Sequence, residues 1–330
     1  MVENIEVTPD EDGIRLDKWL KQKFPDMHFS VFQKAMRTGQ LRVDSKRAKG
    51  DKRLEAGQKI RIPPQLSNPV EKKQTGISKR DEEFIQSLVI YKDKYIIAIN
   101  KPAGLATQGG SKINKHVDGL LDGLMFDTEQ RPRLVHRLDK DTSGVLVLAR
   151  NAKAAKFMGD VFRGRDVRKY YWAITIPVPI RHKGIIETTI GNIEDEDGVE
   201  KMRKTSDDKG KLATTYYSVI EALGKKVAWV AFWPRTGRKH QIRVHAQEID
   251  CPLLGDYKYG YKKDLLEHEI IDLPDLPDML HLHARRIMFR HPITNERIDI
   301  VAPLDSKMKK TWDYFNFDPN DKTDPFEDID

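Results

Sequence analysis

The first part of the chain alternates between apolar positions at helical spacing and apolar positions at strand spacing. Residues 16–24 and 31–36 place apolar side chains three or four positions apart, as one face of a helix does. Residues 41–43 and 59–62 alternate apolar and polar side chains, which indicates two short strands. Two small helices with short strands in about 50 residues predict a small α/β module with its core in residues 14–63.

A polar segment and then a strand-rich segment follow this module. Residues 64–80 contain few large apolar side chains, so we expect a linker there. Residues 81–312 contain more strand-like than helix-like patterns, at hairpin-like spacing. This balance predicts an α+β domain built on a mixed, largely antiparallel sheet. The strand-like patterns are residues 95–100, 145–150, 170–176, 216–221, 227–233, 286–290 and 297–301, and the helix-like ones are 117–124, 152–162 and 239–249.

Positive charge is concentrated in the N-terminal module. The net charge of the chain is +7, but residues 15–63 alone carry 14 Lys and Arg against 5 Asp and Glu. Residues 313–330 carry seven acids against Lys322 alone, and we expect an acidic tail there, outside the strand-rich domain. A concentrated basic module favours a polyanionic partner such as nucleic acid, although a merely well-solvated surface would give the same count.

Composition excludes several kinds of site and of protein. Cys251 is the single cysteine, so an internal disulfide and a cysteine-based metal or redox motif are ruled out. His281 and His283 alternate on one strand, but no cluster of carboxylates accompanies them, so we expect no metal site. No apolar run approaches the roughly 18 residues of a membrane span, and residues 1–13 do not resemble a signal peptide. We therefore expect a cytoplasmic protein that does not enter a membrane.

The densest group of reactive side chains lies in residues 136–144, directly before an apolar strand. The segment holds His136, Arg137, Asp139 and Asp141 together with two hydroxyl side chains. Catalytic groups often lie in a loop that a rigid strand holds in place. The alternative is a polar turn in which one of the two aspartates caps local backbone amides.

Five motifs in order resemble those of the RluA-type pseudouridine synthases. His-Arg-Leu-Asp at 136–139, followed by Thr-Ser-Gly and an apolar strand, is similar to the active-site signature of that family. The other segments that carry the resemblance are Asn-Lys-Pro-Ala-Gly at 100–104, Lys-Tyr-Tyr-Trp-Ala at 169–173, residues 235–245 with Gly255-Asp256 and Tyr259-Gly260 beyond them, and residues 280–284 with Phe289 and His291-Pro292. The resemblance covers nearly the whole chain and implies the pseudouridine synthase fold for the strand-rich domain.

The N-terminal module resembles an S4 RNA-binding domain of the αL type. The resemblance runs from Arg15-Leu16-Asp17-Lys18 to Gly57 and assigns residues 1–63 to such a domain. It implies that cations of this module bind RNA. The residues that we expect to do so are Arg15, Lys18, Lys34, Arg37 and Arg42.

Two short segments resemble the C subtype of the family, whose members modify uridines in 23S, the large-subunit ribosomal RNA. They are Arg-Ile-Pro-Pro at 61–64 and Gln-Gly-Gly-Ser at 108–111. Gln108 departs from the His that is usual in this subtype, and the acidic C-terminal segment has no counterpart in it. The implied partner is structured RNA, above all large-subunit ribosomal RNA or its assembly intermediates, and we expect a monomer to bind it.

The resemblance implies an isomerisation that needs neither a cofactor nor a metal. Pseudouridine formation breaks the N-glycosidic bond, rotates the uracil and rejoins it through C5, so no group is added or lost. Asp139 is the implied catalytic carboxylate, which either attacks the base or stabilises charge at the ribose. Arg238 is implied to hold that carboxylate by a bidentate contact. Tyr171 is implied to stack on the uracil and to take part in proton transfer.

Neighbours of the catalytic residues are implied to handle the substrate or to support the strand. Arg137 is implied to enter the space that a flipped-out uridine leaves. His136 is expected at the RNA-binding surface, mainly to position the loop. Tyr170 and Trp172 point away from the catalytic face of their strand, so we expect them in the core.

Three other functions stay open on the sequence. A non-catalytic, S4-type ribosome assembly factor would bind RNA but would not need Asp139, Tyr171 and Arg238 together. A synthase of the same family could act on transfer RNA. A carboxylate hydrolase of nucleosides or glycans would release base or sugar, whereas an isomerase leaves the mass of the RNA unchanged.

Overall fold

The chain divides into two compact units, Met1–Gly76 and Ile77–Asp330. The computed structural model describes residues 3–24, 27, 29–64, 77–110, 113–164, 166–194, 200–206, 210–261 and 276–329. Most of the predicted linker, residues 65–76, lies outside these ranges. Each unit has its own sheet and its own hydrophobic core.

The N-terminal unit packs two helices against a small antiparallel sheet. The helices are α1 (Leu16–Lys23) and α2 (Phe29–Arg37), and the strands, in the spatial order β1-β4-β2-β3, are β1 (Glu3–Glu6), β2 (Arg42–Val43), β3 (Lys46–Arg47) and β4 (Lys59–Ile62). Trp19, Phe32 and Ile60 are fully buried in one cluster. They meet because one face of each helix and alternate residues of β4 are apolar. The predicted α/β pattern of this part of the chain is confirmed.

The C-terminal unit is built on one long sheet. Its strands are β5 (Val89–Lys92), β6 (Ile96–Lys101), β7 (Arg133–Leu134), β8 (Ser143–Ala149), β9 (Arg168–Thr175), β10 (Lys183–Glu194), β11 (Glu200–Lys204), β12 (Lys211–Leu223), β13 (Val227–Pro234), β14 (Leu282–Arg290) and β15 (Arg297–Val301). The main path runs β11-β10-β12-β13-β9-β14-β8-β6-β5, with β15 paired to β14 and β7 to β8. The β14–β8 pair is parallel, and the other pairs in the described ranges are antiparallel. The predicted mixed, mostly antiparallel sheet is confirmed.

Five helices cover this sheet in the described part of the unit. They are α3 (Lys79–Ser87), α4 (Val117–Leu120), α5 (Ala152–Arg163), α6 (Gln241–Glu248) and α7 (Ser306–Tyr314). Helix α5 contacts β7 and β8, and α6 contacts the strands from β10 to β13. The N-terminus of α6 therefore reaches the sheet close to the loop that precedes β8, which is where the reactive side chains are concentrated.

A glycine allows the reactive loop to enter the centre of the sheet. Gly144 has φ +108°, and a Cβ atom there would lie 2.3 Å from the Ala284 carbonyl oxygen of β14. Only glycine tolerates both this backbone conformation and this approach. All seven residues of β8 are buried, so the strand that follows the loop is rigidly held.

The sheet extends further than the sequence patterns predicted. The hairpin of β10 and β11 and the strand β5 were not predicted, and β12 begins before the predicted residue 216. Exposed positions on these strands carry polar side chains irregularly, with Ile185 and Leu212 among the exposed residues. Backbone hydrogen bonds to neighbouring strands, which leave no mark in the local sequence, decide these elements.

The acidic C-terminal segment does not form a tail outside the domain. Phe315, Phe317 and Phe326 are 3%, 2% and 1% exposed and belong to the cluster that contains Trp229 and Trp312. Burying three aromatic rings outweighs the repulsion among the carboxylates, which remain at the surface. The domain therefore continues past its predicted end.

Candidate active site and basic groove

A cavity of about 510 Å³ opens where the loop before β8, one face of β9 and the N-terminus of α6 meet. Five residues singled out in the sequence line it, namely His136, Arg137, Asp139, Tyr171 and Arg238. Three motifs that are distant in the sequence therefore meet in one cavity of the C-terminal unit.

Tertiary hydrogen bonds hold the backbone on both sides of Asp139. The Thr107 hydroxyl donates to the Leu138 carbonyl at 2.6 Å, and the Leu138 N–H donates to that hydroxyl at 3.2 Å. The buried Lys101 ammonium donates to the Lys140 carbonyl at 3.1 Å. The loop is thus anchored from the segment after β6, and it presents the Asp139 carboxylate from a fixed backbone.

The carboxylate of Asp139 is not a local backbone cap. In the described ranges, neither the Asp139 nor the Asp141 side chain accepts a hydrogen bond from a backbone N–H. The interpretation of this segment as a turn capped by its own aspartates is therefore wrong. The Nε2 atom of His240 lies 3.9 Å from Asp139 Oδ2.

His240 approaches Asp139 as a neutral imidazole. Burial lowers the pKa of His240 to about 4, although the Asp139 charge opposes this. The contact of 3.9 Å between His240 and Asp139 is therefore not an ion pair, because the imidazole is neutral. His240 precedes α6 with φ +54°, and its Nδ1 is 2.8 Å from the Tyr259 hydroxyl. Sequence reasoning assigned no role to this histidine, although its place directly before a helix was a usable signal.

Tyr171 projects from β9 into the cavity. Burial, and secondarily the Asp139 charge, raises the pKa of Tyr171. The hydroxyl therefore keeps its proton at neutral pH. Its neighbours Tyr170 and Trp172 are 2% and 5% exposed on the opposite face of the strand, so the prediction that they are core aromatics is confirmed.

Arg238 lines the cavity but does not contact Asp139 as expected. Its Nε donates to the Leu212 carbonyl at 3.3 Å, and its backbone N–H donates to Gln241 Oε1 at 3.0 Å. No hydrogen bond or ion pair joins Arg238 to Asp139 in the described ranges. The Arg238 side chain is exposed and lies three residues before the start of α6.

The buried arginine beside the cavity is Arg243, which binds Asp256. Its Nε and Nη2 donate to the two carboxylate oxygens at 2.8 and 2.6 Å, and both residues are buried. The Arg243 guanidinium also lies 4.8 Å from the centre of the Tyr259 ring. This bidentate pair ties α6 to the loop after it and so supports the cavity wall.

His136 and Arg137 differ in what they contact. The His136 ring stacks on Phe162 at 4.4 Å between centroids, and its Nε2 accepts the Val147 N–H at 2.9 Å. Burial lowers the pKa of His136 to about 3, so the ring is a neutral acceptor. Arg137 is exposed at the cavity and has no hydrogen bond or ion pair within the described residues. His136 supports the loop, whereas Arg137 is available to a ligand.

Two other buried histidines of this unit form structural contacts. His281 Nε2 is 2.8 Å from the Thr311 hydroxyl, and His283 Nδ1 is 2.8 Å from the Ser143 hydroxyl. The described residues contain no group of three or more His, Cys, Asp or Glu side chains that could hold a metal ion. Within the same ranges, no helix has the length and apolar character needed to cross a membrane.

The cations proposed for the N-terminal unit fall into two groups. Lys34 and Arg37 are exposed and line a groove on this unit, and Lys18 is exposed on α1. Arg15 instead pairs with its neighbour Asp17 at 2.6 Å. Arg42 donates to two backbone carbonyls, those of residues 39 and 45, at 3.0 and 3.2 Å. Lys18, Lys34 and Arg37 are therefore open to a ligand, whereas the Arg42 guanidinium is bound to carbonyls of its own unit.

Comparisons with known proteins find relatives over most of the chain. Residues 95–248 match the family model described as RNA pseudouridylate synthase. A relative from Rickettsia typhi, named ribosomal large subunit pseudouridine synthase C, is 37% identical over 295 residues, which cover 88% of this chain and 93% of the relative. A relative of the same name from Buchnera aphidicola (strain Sg) is 35% identical over 316 residues, covering 92% and 95%.

Solved structures resemble this chain in fold. Human RNA pseudouridylate synthase domain containing 4 is 29% identical, with a TM-score of 0.59, and the match covers 72% of this chain and 97% of the human one. Human RNA pseudouridylate synthase domain containing 1 is 25% identical, with a TM-score of 0.52 and coverage of 66% and 82%.

Proposed function

This chain belongs to the RNA pseudouridine synthase family and is therefore an isomerase of uridine in RNA, and from that premise we propose that it acts on large-subunit ribosomal RNA with Asp139 as its catalytic carboxylate. The names of the relatives from Rickettsia and Buchnera support this choice of substrate, because their similarity extends over most of both chains.

One observation carries the assignment of Asp139. Its backbone is held by hydrogen bonds from a separate segment, while its carboxylate has no backbone donor in the described ranges and faces a cavity that also holds Tyr171. A carboxylate without a structural partner, on a rigidly held loop, is suited to react with a substrate.

The proposed chemistry needs a carboxylate at the sugar–base bond. Asp139 either adds to the uracil ring or offsets positive charge at C1′ of the ribose as the glycosidic bond breaks. The uracil then turns within the cavity, and C5 forms the new bond to C1′. A proton leaves C5 and one is gained at N1, so the RNA keeps its composition.

Tyr171 is proposed to stack on the uracil and to supply a hydroxyl to the reaction. Its raised pKa supports the role of a hydrogen-bond or proton donor at neutral pH, since the phenol stays protonated. Its ring, next to Asp139 in the cavity, offers a flat surface to a base.

Two arginines at the cavity are proposed to handle the RNA around the uridine. Arg137 is exposed beside Asp139 and fills the space from which the uridine is extruded. The Arg238 guanidinium donates a hydrogen bond to the Leu212 carbonyl. Its proposed role is to contact RNA at the rim of the cavity and not to hold the catalytic carboxylate.

The N-terminal unit is proposed to be an S4-type RNA-binding domain that recruits structured RNA. Its two helices and small sheet, with Lys34 and Arg37 exposed along one groove, support this role. These cations supply phosphate contacts, which add affinity without specifying a sequence.

Pseudouridine mapping in ribosomal and transfer RNA tests the proposal. The cells compared carry the wild-type gene, no gene, or the gene for Asp139→Asn. We expect defined uridines of large-subunit ribosomal RNA to lose the modification both without the gene and with Asp139→Asn. Loss in transfer RNA alone would reassign the substrate, and full modification with Asp139→Asn would remove Asp139 from the mechanism.

A further inference from the structure

Lys169 lies on β9 two residues before Tyr171 and projects into the same cavity. Residues two apart on a strand point to the same face, and both side chains line the cavity. Lys169 is partly buried, and its ammonium makes no hydrogen bond or ion pair with any residue that the structure describes. A desolvated lysine without a partner is unusual, because burying an unpaired charge is costly.

The other cations of the cavity are exposed or paired. They are Arg137, Arg163, Arg238, Lys239 and Arg243. Arg243 is bound to Asp256, Arg163 pairs with Asp160, and the remaining three are exposed. Among the described residues of the cavity, Lys169 alone combines desolvation with the lack of a partner.

A lysine with a structural role in this unit looks different. The fully buried ammonium of Lys101 donates to three backbone carbonyls, those of residues 102, 105 and 140, at 3.0, 2.7 and 3.1 Å. Lys169 has no such acceptors within the described ranges, and burial lowers its pKa. Its charge is therefore compensated only when a negative group enters the cavity.

The isomerisation creates such a negative group. When the bond between C1′ and N1 breaks, its electron pair stays on the uracil and spreads over N1, O2 and O4. Addition of a carboxylate to the ring at C6 also places negative charge on O4. The Asp139 carboxylate repels this charge in either case, so a cation on the uracil side of the cavity lowers the barrier.

We propose that the Lys169 ammonium offsets the negative charge that the uracil acquires during the reaction. The inference rests on the proposed isomerisation. Lys169 neither gives nor takes a proton in this role: the electron pair on the uracil forms the C1′–C5 bond, C5 loses its proton and N1 gains one. Because the uracil carries this charge only after the reaction has begun, Lys169 acts on the chemical step more than on RNA binding.

Substitution of Lys169 in the full-length protein tests the charge. Lys169→Met keeps the length and apolar stem of the side chain and removes the charge, and Lys169→Arg keeps the charge. We expect the single-turnover rate on a ribosomal RNA fragment to fall about 10²- to 10³-fold for Lys169→Met, as for loss of one preorganised donor, and Lys169→Arg to recover most of it. RNA affinity stays close to wild type. Lys153→Met, an exposed lysine on α5 outside the cavity, is the matched control.

The thermal unfolding of the variants separates this role from a structural one. Removing an unpaired, partly buried charge leaves no partner behind, so Lys169→Met should unfold no earlier than wild type. If Lys169→Met does not fold, Lys169→Gln replaces it in the same assay. A wild-type single-turnover rate for the folded variant would overturn the inference. So would a loss of RNA affinity with an unchanged rate, which would make Lys169 a phosphate contact.

A second substrate reports on the uracil charge directly. RNA with 5-fluorouridine at the target carries an electron-withdrawing atom that stabilises a uracil anion, so we expect first-turnover consumption of this base to depend less on Lys169. An equal loss on both substrates would contradict the inference. Asp139→Asn is measured in parallel: an active Asp139→Asn refutes the proposed catalytic carboxylate, whereas an inactive Asp139→Asn beside an unaffected Lys169→Met refutes only the role of Lys169.

Discussion

The two units of this protein place their charged residues in opposite ways. In the N-terminal unit the buried side chains that the structure describes are apolar, as Trp19 and Phe32 are, and the cations lie on the surface. The C-terminal unit buries Lys101, Arg243 and Asp256 as well as several histidines. Yet both units have well-formed apolar clusters, so the difference does not reflect a poorer core.

Surface charges and buried charges act on a ligand in different ways. A surface cation acts through water on a distant polyanion, and salt screens it. A buried charge acts strongly on whatever enters its cavity, and leaving it without a partner until then is costly. The exposed cations of the N-terminal unit fit its proposed binding role, and the buried charges of the C-terminal unit fit the proposed reaction site.

The largest expected effect concerns Asp139, the proposed catalytic carboxylate. Asp139→Asn keeps the size of the side chain but removes its charge, so we expect the single-turnover rate to fall about 10⁴-fold, as for loss of a central catalytic group. RNA affinity and thermal unfolding serve as controls and should stay unchanged. A rate within about tenfold of wild type corresponds to a barrier change of about 1.4 kcal/mol. Such a rate would contradict the proposed role of Asp139.

The buried ion pair comes next. Arg243→Met leaves the Asp256 carboxylate buried without its partner, so the free energy of unfolding should fall by about 3–5 kcal/mol. Denaturant unfolding measures this, and the double variant Arg243→Met/Asp256→Leu should recover most of the loss. If the single variant is as stable as wild type, the pair does not support the cavity wall.

Tyr171→Phe separates the ring from the hydroxyl at the cavity. The ring remains available for stacking, whereas the hydroxyl that burial keeps protonated is removed. We expect single-turnover rates about 10²-fold lower with RNA affinity retained. A Phe variant as fast as wild type would limit Tyr171 to stacking.

The smallest effect is expected in the N-terminal unit. Lys34→Gln/Arg37→Gln should make the slope of log affinity against log salt shallower by about 0.7–0.9 for each phosphate that the unit no longer neutralises. The free energy of unfolding should change by less than about 0.5 kcal/mol, because both side chains are exposed. Arg42→Gln is the matched control: its guanidinium binds two carbonyls of its own unit, so we expect a smaller change in slope. An equal change in slope would show that these internal bonds do not keep Arg42 from RNA.

The sequence by itself determined the class of fold and identified five residues that line the cavity. Asp139, Tyr171 and Arg238 were identifiable because each lies in a short motif, and a motif is a local property of the chain. Short continuous runs of apolar residues likewise predicted the buried strands β8 and β13, which are covered on both faces. These features need no knowledge of what lies opposite.

Only the tertiary structure decided which side chains found partners. Arg238 was expected at Asp139 but binds Leu212, whereas Arg243 binds Asp256. Rotamers and pairs of this kind depend on which acceptor is nearest after the strands and helices have packed, and several acceptors suit any arginine. The missing partner of Lys169 is equally a tertiary property, because a lysine in a sequence carries no mark of its surroundings. The energy of a charge depends on the groups that surround it in three dimensions, and these surroundings exist only after the strands and helices have packed.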